Sequence, residues 1–189
     1  MKKIKIYSLA YCDSGGGAAT AFLRINSSLS KLNLINYPHV IEKRLSSPII
    51  KVHGNIFDQI LRRIRFYITK IIFLFDLRYT KSINLIDSGV ANFINKKPYD
   101  IVNFHWIGCE TISLSEIKKI NKPIVWTLHD MWVISGIYHY NLDKKYFNQE
   151  CKSVVKKKYF EFLDNITKRR KEILFKEKKI HLISPSKWL

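Results

Sequence analysis

Pro123-Ile-Val-Trp-Thr-Leu-His-Asp-Met-Trp132 decides how this chain is read. Ile124, Val125, Trp126 and Leu128 form a short apolar run, the pattern of a parallel strand covered on both faces. Pro123 stands at its start, where a missing N–H costs a strand least. The character then changes at once, to His129, Asp130 and Trp132. In open α/β sheets, ligands bind beyond the carboxyl ends of the strands. His129 therefore falls where a functional side chain sits. The plainer reading is a histidine that only bonds a loop carbonyl.

Working outward, the same grammar recurs. Ile4, Ile6 and Leu9 predict a first strand, followed by Cys12-Asp-Ser-Gly-Gly-Gly-Ala-Ala-Thr20. Gly15, Gly16 and Gly17 allow a tight turn and close approach of a ligand. Ala18, Phe22, Ile25 and Leu29 predict a helix over 18–32. A strand, a glycine turn and a helix start make an anion cradle, because unpaired N–H groups and the positive dipole end face the ligand. A glycine turn that merely lets strand and helix pack is the competing explanation. Gly15-x-Gly17-x-x-Thr20 also approaches the dinucleotide fingerprint. A second strand over 37–42 would place Glu42 where a ribose-binding acid stands, but Thr20 replaces the third glycine.

Asp100-Ile-Val-Asn-Phe-His105 is another strand, with Trp106 and Gly108 just past its end. Ser113-Leu-Ser-Glu116 is a capping box that opens a short helix to Ile120. Spacing predicts further helices over 56–76, 83–95 and 154–176, and a last strand over 180–184. Residues 46–55 and 131–150 read as loops. The second is rich in aromatics, and a loop of that length inside a domain is often functional. The order β-α-β-α-α-β-α-β-α-β argues for an α/β fold with a Rossmann-like, doubly wound parallel sheet.

Two helices carry charge. In 56–76, Ile56, Ile60, Ile64 and Ile71 line one side, with Arg62, Arg63, Arg65 and Lys70 among them. Packing of the isoleucines on the sheet is expected; a basic amphipathic helix lying on anionic lipid competes. The apolar run over 66–77 is too short to span a bilayer. In 154–176, Tyr159, Phe162, Leu163, Ile166 and Ile173 predict the inner side. Lys156 to Lys158 and Lys168 to Lys171 read as a solvated face.

The totals narrow the classes. A hydrophobic content of 47% with 7 Gly and 5 Pro in 189 residues excludes disorder. The net charge of +18 favours an anionic partner. Helix-turn-helix, zinc-finger and RNA-recognition patterns are missing, so no nucleic acid is expected. Cys12, Cys109 and Cys151 are odd in number and far apart, which fits reduced thiols in a cytoplasmic protein. Lys5 interrupts the N-terminal apolar run and Tyr11 is too bulky for a cleavage site, so a strand is expected there rather than a signal peptide.

Four stretches taken together resemble a known family. They are Asp13-Ser-Gly-Gly-Gly-Ala-Ala19, Asp100-Ile-Val-Asn-Phe-His-Trp-Ile-Gly108, Pro123 to Trp132 with Gly136 and His139-Tyr140, and Ser184-Pro-Ser-Lys-Trp-Leu189. In this order they resemble the N-terminal domain of family 4 retaining glycosyltransferases of the GT-B fold. The nearest subgroup is that of bacterial exopolysaccharide and capsule synthesis, including colanic-acid-type enzymes. The resemblance implies two Rossmann-like domains facing a cleft. Residues 1–189 would be the acceptor-side domain, and the C-terminal donor-binding domain would lie outside them. It implies a nucleotide-diphosphate sugar as donor, no cofactor and no metal. Gly15, Gly16 and Gly17 would close on the donor diphosphate. His129 would stand at the donor sugar and the reaction centre as the catalytic residue. His105, Trp106, Asp130 and Trp132 would line the acceptor side.

The acceptor would be an oligosaccharide or a lipid-linked sugar, met at the inner face of the cell membrane by a cytoplasmic, peripheral protein. These residues alone are expected to bind without turnover. One departure concerns the loop after His129-Asp130, where the subgroup carries clustered cysteines. Here Tyr138 precedes His139 and only Cys151 remains, short of the about four ligands a structural zinc takes. The second expectation is a non-catalytic module that holds an anionic glycan or a lipid-linked phosphate.

Overall fold

The computed structural model describes residues 3–187. The 184–189 motif is therefore described only as far as Lys187; Trp188 and Leu189 lie outside the described residues. The elements run β1 (Ile4–Cys12), α1 (Gly17–Leu29), β2 (Leu34–Glu42), β3 (Lys51–Val52), α2 (Ile56–Ile72), α3 (Val90–Asn95), β4 (Ile101–Phe104), α4 (Leu114–Lys119), β5 (Ile124–Thr127), α5 (Asn141–Glu150), α6 (Val154–Glu177) and β6 (Ile180–Ile183). All six strands are parallel, in the order β3-β2-β1-β4-β5-β6. The fold is α/β and Rossmann-like. The order reverses between β1 and β4, and such switch points are where open sheets bind ligands.

Strand alternation divides the core. Tyr7 and Leu9 of β1, Val102 and Phe104 of β4, and Ile124 and Trp126 of β5 face one side. There they bury against Ile94 of α3, Ile117 of α4 and Leu174 of α6. Ala10 and Val40 face the other side, under Phe22 of α1. Each fully buried large apolar side chain contributes about 1.5–3 kcal/mol over leaving it in water. The capping box at Ser113 forms as expected: its hydroxyl accepts the Glu116 N–H (3.0 Å), and Glu116 reaches back to the Ser113 N–H (3.3 Å).

The structure departs from the sequence reading in five places. First, the expected loop at 46–55 contains the two-residue β3. Second, the helix expected over 83–95 is only α3. Asn84 is left-handed (φ 47°), and its amide donates to the carbonyls of Ile107 (2.7 Å) and Ile112 (2.8 Å). The N–H groups of Leu85 and Ile86 donate to the buried Glu110 carboxylate instead of closing a helical turn. Third, the expected loop at 131–150 ends in a helix, α5.

Fourth, α2 is turned the opposite way from the expected packing. Ile56, Ile60, Ile64 and Ile71 are exposed, while Arg65 and Thr69 are the buried members. Fifth, the inner stripe of α6 is Phe160, Leu163, Asp164, Thr167, Lys171 and Leu174. Phe162 and Ile166 point to solvent, and Lys171 is buried rather than solvated.

Candidate functional site

Seven segments meet at the carboxyl edge of the sheet. They are the turn after β1, Arg44 in the segment after β2, Thr80 in the connection between α2 and α3, the tips of β4, β5 and β6, and the loop that leads to α5. They surround a hollow of about 540 Å³. Gly15, Gly16 and Gly17 form one wall, and Trp106, His129 and Asp130 contribute to the others. The tips are laced by backbone bonds: the His105 N–H donates to Leu9 C=O (2.9 Å) and the Tyr11 N–H to Trp106 C=O (2.9 Å).

The glycine wall is built by its sequence. Gly15 has φ +96°, which favours glycine. A Cβ placed there would also lie 2.8 Å from Nη1 of Arg44. Gly16 caps α1 without any side-chain bond, and the first helical bond runs from Thr20 N–H to Gly16 C=O (3.1 Å). The N–H groups of Gly17, Ala18 and Ala19 thus have no acceptor within the helix. Buried Asp13 ties this turn to the segment after β2. Its carboxylate accepts the N–H groups of Arg44 (2.8 Å) and Leu45 (3.2 Å). That brings the Arg44 guanidinium to the rim of the hollow. Glu42 holds Arg44 at 2.9 Å, and it also accepts the Tyr11 hydroxyl (2.8 Å). Two partners already occupy the position where a ribose-binding acid would act.

The histidine wall is a hydrogen-bond chain with a direction. The Thr127 hydroxyl donates to Asn103 Oδ1 (3.2 Å), and the Asn103 amide donates to His105 Nε2 (3.2 Å). His105 Nδ1 then lies 3.1 Å from His129 Nε2. With Nε2 of His105 accepting, its Nδ1 carries the proton and donates to His129 Nε2. His129 is left with a proton on Nδ1. Burial pulls His105 down to about 3, and the neighbouring His129 pulls in the same direction. Burial also lowers His129, against the pull of Asp130. Both rings are therefore neutral near pH 7, and half-buried His129 is a hydrogen-bond donor there.

Asp130 is the hub of a second network. It accepts the indole N–H of Trp106 (2.6 Å), Nδ1–H of His139 (2.5 Å) and the N–H of Trp132 (3.0 Å). Burial would raise its carboxyl, but the bonds from His139, Trp132 and Trp106 prevail and hold it below the ordinary carboxylate range. His139 Nε2 meets the Ser82 hydroxyl at 2.9 Å, and that oxygen accepts the Cys109 N–H (3.0 Å).

The sequence-predicted residues thus divide. Gly15, Gly16, Gly17, Trp106, His129 and Asp130 share the hollow. His105 and Trp132 do not line it; they are buried behind it. Trp132 donates its indole N–H to Ser82 C=O (2.8 Å) and stacks on His139 (13°). Arg44, Ser82 and Lys171 were missed. Arg44 stands just past a strand tip, the same signal that marked His105 and His129. Lys171 donates to the carbonyls of Ser135 (3.0 Å), Gly136 (2.7 Å) and Trp132, and its ammonium lies 3.9 Å from the Trp132 ring centre. It staples the loop beneath the hollow, but nothing in a run of basic residues distinguishes it. Among the described residues, no group of three or more His, Cys, Asp and Glu is placed to hold a metal ion.

No family model, curated protein or solved structure matches this chain.

Proposed function

We propose that this chain is the acceptor-side domain of a retaining, nucleotide-sugar-dependent glycosyltransferase of bacterial surface-polysaccharide synthesis. One observation carries the reading: the Gly15–Gly17 turn and His129 line a single hollow at the switch point of the sheet. A diphosphate fits the glycine wall, where N–H groups converge beside the Arg44 guanidinium. Such donors stabilise a leaving diphosphate, the kind of preorganised electrostatic help that usually dominates catalysis. Neutral His129 then offers its Nδ1–H to a sugar hydroxyl or a phosphate oxygen. Trp106, held by Asp130, supplies an aromatic wall for a sugar ring. His105 and Trp132 act through His129 and His139 rather than by touching substrate.

The test is calorimetric titration with nucleoside diphosphate sugars and the matching nucleoside diphosphates, for the wild-type chain and His129→Ala. The reading expects the variant to keep diphosphate affinity and to lose the increment that the sugar adds. Equal increments in both proteins would contradict it.

A second reading is favoured by Asp130. It is the one carboxylate lining the hollow among the described residues, and three donors already occupy it. A hollow without an available carboxylate suits a module that holds an anionic glycan or lipid-linked phosphate without chemistry. Binding of such an anion with no sugar increment at all would favour this reading.

A further inference from the structure

Helix α2 carries its polarity inside out. Its inner arc is Asp58, Gln59, Arg62, Arg65 and Thr69, buried or half-buried. The outer arc holds Ile56, Phe57, Ile60, Leu61, Ile64, Tyr67, Ile68 and Ile71, all exposed, with Ile56 at 76% and Ile71 at 68%. Leu74, Phe75 and Leu77 continue the apolar surface past the helix end. A helix in a water-facing position normally does the reverse. So large a contiguous apolar surface marks an interaction site. Desolvation lowers the pKa of Arg65, and its Nε lacks a hydrogen-bond partner. The helix accepts this penalty and keeps its isoleucines outside.

Charge identifies the occupant. Arg63 and Lys70 are exposed along one margin of the apolar arc. Lys156 of α6 stands 6.0 Å over the Phe75 ring, on the same surface. The outer arc holds no acidic residue; the only acid of α2, Asp58, faces inward and closes the capping box with Asn55. An apolar stripe edged by cations, on a chain of net charge +18, is complementary to an anionic lipid interface. Among the described residues no helix is long and apolar enough to cross a membrane. The apolar arc runs the length of α2 with cations at its margin, the pattern of a helix lying in the plane of an interface.

We infer that the outer face of α2 and the following segment through Leu77 lie in the headgroup region of an anionic membrane. The placement also deepens the reading of the hollow and, in this respect, rests on it. A smaller cavity lined by Phe66, Lys70 and Phe73 runs beside α2 and meets the main hollow at Thr80. A lipid-linked acceptor seated in the membrane at α2 would lead its sugar along that path to His129.

The test is co-sedimentation of the full chain with phosphatidylcholine vesicles, with and without phosphatidylglycerol. Binding is expected only with the anionic lipid, and salt should weaken it. Ile60→Glu with Ile64→Glu should abolish it. Arg63→Glu should lower it by about fivefold or more. These positions are exposed, so circular dichroism should be unchanged. No retention on anionic vesicles would overturn the inference. So would a concentration-dependent dimer in sedimentation equilibrium that the double variant dissolves, which would assign the face to a second copy. Nucleoside diphosphate sugar titrations of the double variant keep the two readings apart, because loss of lipid binding leaves the hollow intact.

Discussion

Nδ1 of His105 lies 3.1 Å from Nε2 of His129, and the two rings stack at 20°. This contact sets the proton on His129. His105→Phe removes the donor and frees His129 Nε2 to take a proton. Nitrogen-15 spectra of the imidazoles should find His129 as the Nδ1–H form in the wild type and mixed tautomers in the variant. An unchanged tautomer in His105→Phe would sever the link between the two rings.

The same burial predicts acid sensitivity. His105 is held at about 3 and His53 at about 4, both lowered first by burial, whereas an unfolded histidine titrates near 6.5. Between those values the unfolded chain binds more protons, so stability falls as pH falls from about 6.5 toward 3. At pH 4 each group costs up to about 3 kcal/mol relative to pH 7. Urea unfolding at the two pH values measures this. A midpoint that does not move would contradict the burial of both rings.

Gly136 has no room for a side chain. A Cβ there would lie 1.9 Å from Oδ1 of Asp164, the atom that accepts the Ile137 N–H at 2.8 Å. Gly136→Ala should lower unfolding free energy by about 2–3 kcal/mol through overpacking and the lost bond. A change within about 0.5 kcal/mol, as at an ordinary surface site, would count against the geometry.

Lys171→Met keeps the volume but strands three carbonyls that the ammonium now serves. The loss should be about 2–4 kcal/mol, and amide exchange over 131–139 should accelerate more than in the strands. Burial pulls this lysine well below its usual range, but three acceptors and the Trp132 ring surround it. Uniform exchange across the chain would show that the loop does not depend on it.

Much of this was legible in the sequence, and the physical reason is local. Apolar runs such as 124–128 have one sensible fate, and the polar residue that ends each run falls at the sheet edge. That pattern alone brings His129, Trp106 and the glycine turn to one edge of the sheet. Periodicity, in contrast, reveals that a helix has two faces without saying which one turns inward. The isoleucines of α2 and the Lys171 side of α6 were therefore assigned to the wrong environments. The 83–89 segment is not helical because the Leu85 and Ile86 N–H groups are satisfied at a distance, by Glu110, which no local pattern displays.

Arg44 offers a smaller test of the glycine wall. Arg44→Ala removes the only guanidinium among the residues that line the hollow. Pyrophosphate affinity should fall about tenfold, the size of one charge-assisted bond. Higher salt should narrow the gap, because the group is exposed. Equal affinities at low salt would remove Arg44 from the site.

The central claim is that the glycine turn and His129 form one sugar-phosphate surface. Amide spectra of the nitrogen-15-labelled chain, titrated with a panel of nucleoside diphosphate sugars, test it most directly. For at least one sugar, the amides of Gly15 to Ala19 and of His129 should shift together along a single saturation curve. Nucleoside diphosphate alone should move the first group and spare the second. Separate curves for the two groups, or no shift in either up to millimolar ligand, would contradict the account.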